Sequence, residues 1–144
     1  MSKIKIVQLK KADASVLADI RHLLKQLSTR IGTATSASLK KMLSRPDIEI
    51  WVACDGVRVV GIATLIVLHK MYVTSSNVED IVVDEKYRGQ GLGKALMNKI
   101  VERARIHHAE RVEFTSNPSR AFAIAMYQKL GFKKRDTNVY RLEL

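Results

Sequence analysis

Apolar residues recur along this chain with two different periods, and the switches between those periods predict its elements. Near the N-terminus Ile4, Ile6 and then, after a slip, Val7 and Leu9 read as a first strand. Asp13 or Ser15 can cap a helix running to about Leu27, since Val16, Leu17, Ile20, Leu23, Leu24 and Leu27 form one stripe. A small-residue connection, 28–36, leads to a short helix begun by Ser36 or Ser38 and stopped by Pro46. Residues 48–53 and 57–68 read as two strands joined by a hairpin at Asp55-Gly56.

Residues 69–77 are polar and predict a loop, and 78–83 the next strand. A glycine-rich turn then opens a helix from about Gly91 to His107, on which Leu92, Leu96, Ile100 and Ala104 recur every four residues. Residues 111–115 predict a short strand and Asn117-Pro118-Ser119 a turn. A helix follows from about Ser119 to Leu130, ended by Gly131. Two final strands are expected, one from Phe132 onward and one over 139–144. Mixed strands and helices indicate an α/β domain with helices packed on a central sheet.

Length and charge narrow the picture. At 144 residues the chain is the size of one domain, and 47% hydrophobic with 27% charged residues is a globular balance. No run of about 18 apolar residues occurs, so no membrane span is expected, nor a secretory signal. The single cysteine, Cys54, allows no internal disulfide and no cysteine metal cluster. It reads as a small hydrophobe, and a reducing, cytoplasmic setting fits. The formal net charge of +11 favours contact with phosphates. Without a recognised nucleic-acid motif, nucleic acid is not the expected partner.

The chemistry concentrates in residues 78–94, where a strand, alternate glycines and a helix start follow one another. Glycine lets the backbone approach a ligand, and a helix N-terminus leaves N–H groups free beside a partial positive charge. Together they cradle a phosphate or pyrophosphate, with Arg88 and Lys94 alongside. A Walker loop fits poorly because Ala95, not Ser or Thr, follows Lys94. A dinucleotide fingerprint fits poorly, since the run is Gly-x-Gly-x-Gly and little chain follows it.

Arg88-Gly89-Gln90-Gly91-Leu92-Gly93 resembles the Arg/Gln-x-x-Gly-x-Gly/Ala signature of the GNAT (GCN-type N-acetyltransferase) family. The resemblance extends to Tyr127-Gln128-Lys129-Leu130-Gly131-Phe132. It implies a single GNAT domain over 1–144, with a mixed sheet of about six or seven strands and about four helices. It also implies acetyl-CoA as acyl donor, an amine acceptor, no metal, and a homodimer. By the same resemblance Ile81, Val82 and Val83 meet the pantetheine arm. Arg88, Gly89, Gln90, Gly91, Leu92, Gly93 and Lys94 hold the pyrophosphate, and Asn117 or Arg120 reaches the cofactor. The commoner pattern has Asn where Arg120 stands, so Asn117 and Arg120 remain alternatives. Tyr127 corresponds to the acid that protonates the departing thiolate.

An amine attacks a thioester only when neutral, so a proton acceptor is needed. Glu79 is the first candidate. Asp80, expected on the opposite face of the strand, is the second. Backbone N–H near Val82 or Val83 can stabilise the oxyanion. His69 and Tyr72 are further candidates to serve the acceptor, whereas the helix dipole accounts for His107 and His108. Loops 28–36, with Arg30 as a candidate anion contact, and 69–77 are expected to set specificity. Few acids in them favour small mono-amines over polycations.

Overall fold

A computed structural model describes residues 3–29 and 32–144; the expectation for Arg30 lies outside the described residues. The chain forms two compact units, divided after Phe114.

The first unit holds a five-stranded sheet in the order of the chain: β1 (Lys5–Gln8), β2 (Ile48–Asp55), β3 (Arg58–His69), β4 (Thr74–Val83) and β5 (Val112–Glu113). The first four strands pair antiparallel, and β5 joins β4 in parallel. That parallel connection requires a crossover, supplied by α3 (Leu92–Ile106). α1 (Ala14–Leu27) and α2 (Ser36–Leu43) are crossed between β1 and β2.

Each helix begins where its sequence offers a cap. The Asp13 carboxylate accepts from the Val16 N–H at 2.8 Å, and Thr35 and Ser38 form a reciprocal capping pair. The α1 stripe buries Leu17, Ile20 and Leu23 against Ile50, Val52, Ile62 and Val82 of the sheet. The opposite sheet face meets α3, whose Leu96, Met97, Ile100 and Ala104 are buried. There Gly61 permits contact: a Cβ on it would stand 3.1 Å from Leu96 and 3.3 Å from Ala53.

The expected loop over 69–77 is mostly strand. Thr74 to Asn77 open β4, with Ser75 and Ser76 buried. Their polarity masked a strand held on both sides, by β3 and by β5, where Ser76 Oγ donates to the Arg111 carbonyl at 2.8 Å.

The second unit contains α4 (Ala121–Lys129). Its end closes as a Schellman turn. The Gly131 N–H donates to Gln128 and the Phe132 N–H to Tyr127, with Gly131 at φ 97°. The two expected terminal strands are absent, so the described sheet has five strands rather than six or seven. Lys133, Lys134 and Arg135 place three like charges in succession. Val139, Tyr140, Leu142 and Leu144 are exposed, with no strand beside them to take up the ladder. Alternation makes a strand only where a neighbour completes its hydrogen bonds.

Candidate active site

β4 carries a bulge at its centre. Thr64 pairs with Glu79 and Ile62 with Val82, so Asp80 and Ile81 together oppose Ala63. Asp80 absorbs the extra residue by taking φ 54°, a left-handed conformation that costs a non-glycine residue strain. Strict alternation therefore no longer assigns Asp80 to the face opposite Glu79, which was the expectation. Glu79 itself lies on the α1 face, level with buried Thr64 and beyond Ile62 and Val82.

Both carboxylates are accessible, yet neighbouring protein crowds out part of their water. Burial raises the Glu79 carboxyl above its usual range, and the charge of Asp80 raises it further. Burial alone raises Asp80. A carboxylate so perturbed is a better proton acceptor than one in open water.

Just before it, β4 and β5 part company. They are paired only at Ser76–Val112 and Asn77–Glu113. Beyond that point no β5 residue pairs with Val78 to Val83, so on that edge Ile81, Val82 and Val83 have no strand partner among the described residues.

After β4 the chain is fastened at several points. The Asp84 carboxylate, 3% exposed, accepts from the Lys86 N–H at 2.9 Å and lies 3.3 Å from His22 Nε2 on α1. Gln26 Oε1 accepts from the Glu85 N–H, and the Tyr87 hydroxyl donates to Asp55 at 2.8 Å. Arg88 Nε donates to the Val83 carbonyl at 3.0 Å. Sequence reasoning missed Asp84, His22, Gln26 and Asp55. Only Asp84, a short acid immediately after a strand, offered a local signal.

The turn that follows uses its glycines where they are needed. Gly89 and Gly91 have φ 79° and 80°, while Gly93 lies within α3. No side chain caps α3, and its first backbone bond runs from the Ala95 N–H to the Gly91 carbonyl. The N–H groups of Leu92, Gly93 and Lys94 thus lack intrahelical partners. A Cβ built on Gly89 or Gly91 would meet nothing within 4 Å, so the space before the turn is open. Free donors, a helix N-terminus and open space fit a diphosphate. Among the described residues no cluster is suited to a metal ion.

In the second unit, Tyr127 sits three residues before the helix cap, its ring edge-on to Phe132 at 6.3 Å between centroids. The Tyr-x-x-x-Gly-Phe spacing is therefore a Schellman turn with its hydrophobic contact. Burial raises the phenol, with Arg120 pulling the other way, so its proton stays in place at neutral pH. Asn117 Oδ1 is engaged with the Ser119 N–H at 2.9 Å, and Arg120 occupies the α4 N-cap.

Other candidates take lesser places. Tyr72 is exposed near the tip of the β3–β4 hairpin, and His69 ends β3. His107 is not merely a helix-end residue: its Nε2 lies 2.8 Å from Glu49 Oε1. Burial and the nearby Asp19 raise the Cys54 thiol, which disfavours the thiolate form.

Residues 17–132 match the acetyltransferase (GNAT) family, and the chain belongs to that family. It is an N-acetyltransferase by class, in line with its named relatives. A glucosamine 6-phosphate N-acetyltransferase of Trypanosoma brucei brucei is 34% identical over 113 residues, 75% of this chain and 74% of that protein. An L-2,4-diaminobutyric acid acetyltransferase of Shouchella clausii is 34% identical over 103 residues, 72% of this chain and 57% of that one. Several other curated relatives are longer, and the match spans half their length or less. Among solved structures, a Trypanosoma brucei acetyltransferase superposes with a TM-score of 0.81 at 30% identity, covering 99% of this chain and 100% of the other.

Proposed function

We propose that the chain transfers an acetyl group from acetyl-CoA to a primary amine on a small molecule. The observation that carries this reading is the uncapped start of α3 behind two left-handed glycines, beside a strand edge without a strand partner among the described residues. Acetyl-CoA would supply the activated thioester. The N–H groups from Gly89 to Lys94 would hold its diphosphate, with Arg88 alongside, and the Ile81–Val83 backbone its pantetheine arm. Asn117, whose amide NH2 is not used in its own turn, or Arg120 would reach the same molecule.

On this reading Glu79 takes the proton from the incoming ammonium, directly or through water, with Asp80 holding its affinity for that proton high. Tyr127, kept protonated by burial, gives its proton to the departing thiolate. Small amines are favoured over protein substrates by the relatives, whose names specify an amino sugar phosphate and an amino acid. A homodimer fits the exposed row of Tyr140, Leu142 and Leu144. A cytoplasmic setting accords with an unpaired cysteine. Among the described residues no helix is long and apolar enough to cross a membrane.

The decisive experiment is Gly91→Glu, which forces a side chain into a left-handed position and adds negative charge at the cradle. Calorimetry should register at least a hundredfold loss of acetyl-CoA affinity, with the circular dichroism of a folded protein retained. Unchanged affinity would remove the cradle from the reading.

A further inference from the structure

The β4 face that carries Glu79 continues backwards as a polar row. Ser75, Asn77 and Glu79 oppose Leu68, Ile66 and Thr64 in unbroken two-residue steps, so all three project from the same side of the sheet. Asn77 is the last β4 residue still paired with β5. It is half-buried, and its amide makes no side-chain hydrogen bond among the described residues. Ser75 is 2% exposed, and its Oγ finds no hydrogen-bond partner. A buried polar atom left unpaired opposes folding, and this one is closed to solvent, so it backs Asn77 and does not itself meet a ligand.

We infer that Asn77, with Ser75 behind it, forms the acceptor subsite and selects amines bearing a hydroxyl on the adjacent carbon. The inference rests on the reading of Glu79 as the base beside the acceptor nitrogen. Two residues of strand separate the roots of Asn77 and Glu79 by about 6.6 Å. Two side chains reaching inward from that spacing meet ligand atoms that are themselves close neighbours, as in a 1,2-amino alcohol. An anionic group would be opposed there. Glu79 and Asp80 stand on one side, and Glu113, ion-paired with Arg111 at 3.1 Å, is the β5 neighbour of Asn77. An amide both donates and accepts, which suits a neutral hydroxyl. The acceptor class is therefore amino alcohols, amino sugars among them, rather than α-amino acids or plain alkylamines.

The test compares trans-2-aminocyclohexanol with cyclohexylamine in thiol release from acetyl-CoA, for the native protein and Asn77→Ala. The native protein should prefer the amino alcohol. Asn77→Ala should lower that preference roughly tenfold, mainly through KM, as expected for one lost hydrogen bond. Asn77→Ser, a milder change that keeps a polar group, should lie between the two, and covers the case in which Asn77→Ala melts early. An unchanged preference in a folded variant overturns the subsite while leaving the acetyl-transfer reading intact. Calorimetry of trans-2-aminocyclohexanol with CoA present reads the subsite without turnover. Weakened binding in Asn77→Ala, with neither amine acetylated by the native protein, would support the subsite and overturn the placement of Glu79 as the base beside it.

Discussion

The sheet holds two groups of acidic residues under opposite regimes. On the α3 face, Glu49 of β2 is 5% exposed and surrounded by donors. Trp51 Nε1 and Arg103 Nε donate to one oxygen, each at 2.9 Å, and Arg103 donates to the other at 2.7 Å. His107 Nε2 joins at 2.8 Å, necessarily as a donor to an ionised carboxylate. Lys99 and Arg103 also lie over the Trp51 ring, at 5.2 and 5.7 Å. Burial pushes Glu49 upward, but the hydrogen bonds of Arg103, His107 and Trp51 outweigh it and hold the carboxyl at about 2. At Glu79 and Asp80 burial acts with no such opposition, and both carboxyls rise. Burial alone thus does not decide a carboxylate's character; the donors around it do. One group is held charged and ties α3 to β2, while the other is pushed towards its protonated form.

That contrast can be broken from either side. The largest effect is expected for Glu79→Gln, which would remove the proposed proton acceptor without changing shape. Turnover should fall by about a hundredfold or more, with acetyl-CoA affinity and melting temperature nearly unchanged. A variant with native turnover would move the base to Asp80 or to water. Glu49→Gln should do the reverse. Losing the charge that Arg103 and His107 face should cost about 2–4 kcal/mol in denaturant unfolding, with a much smaller effect on the turnover of folded protein.

A pH titration sharpens the comparison without mutation. Because the Glu79 and Asp80 carboxyls are raised, activity should fall on acidification at a pH above the ordinary carboxylate value of 4.5. Glu49 works the other way. Its lowered value makes it a stabilising group above 4.5, and that contribution is lost only as pH falls from 4.5 towards about 2. A window of folded but inactive protein is expected between the two. Coincident loss of activity and of near-ultraviolet circular dichroism would contradict it.

Much of this was legible along the chain. The α1 and α3 stripes, the Asp55-Gly56 hairpin and the glycine turn are local patterns, and each element formed close to where its period predicted. The turn was legible because positive φ and uncapped helix donors depend on residues adjacent in sequence. The helix end at Gly131 was legible for the same reason, whereas the ring contact of Tyr127 with Phe132 emerged only in the folded chain. The terminal strands over 132–144 were overread, since alternation describes a strand's faces and says nothing of its neighbours.

What local pattern determined, then, was which segments are helical or extended and where a diphosphate could be gripped. Tertiary structure alone decided that Thr74 to Asn77 are strand, that a bulge turns Asp80 left-handed beside Glu79, and that Glu49 meets Arg103 and His107 more than fifty residues away. The physical reason is that dihedral preferences and caps are settled by neighbours in the chain. Desolvation, strand partners and the donors around a carboxylate come from residues that only folding brings within a few ångströms.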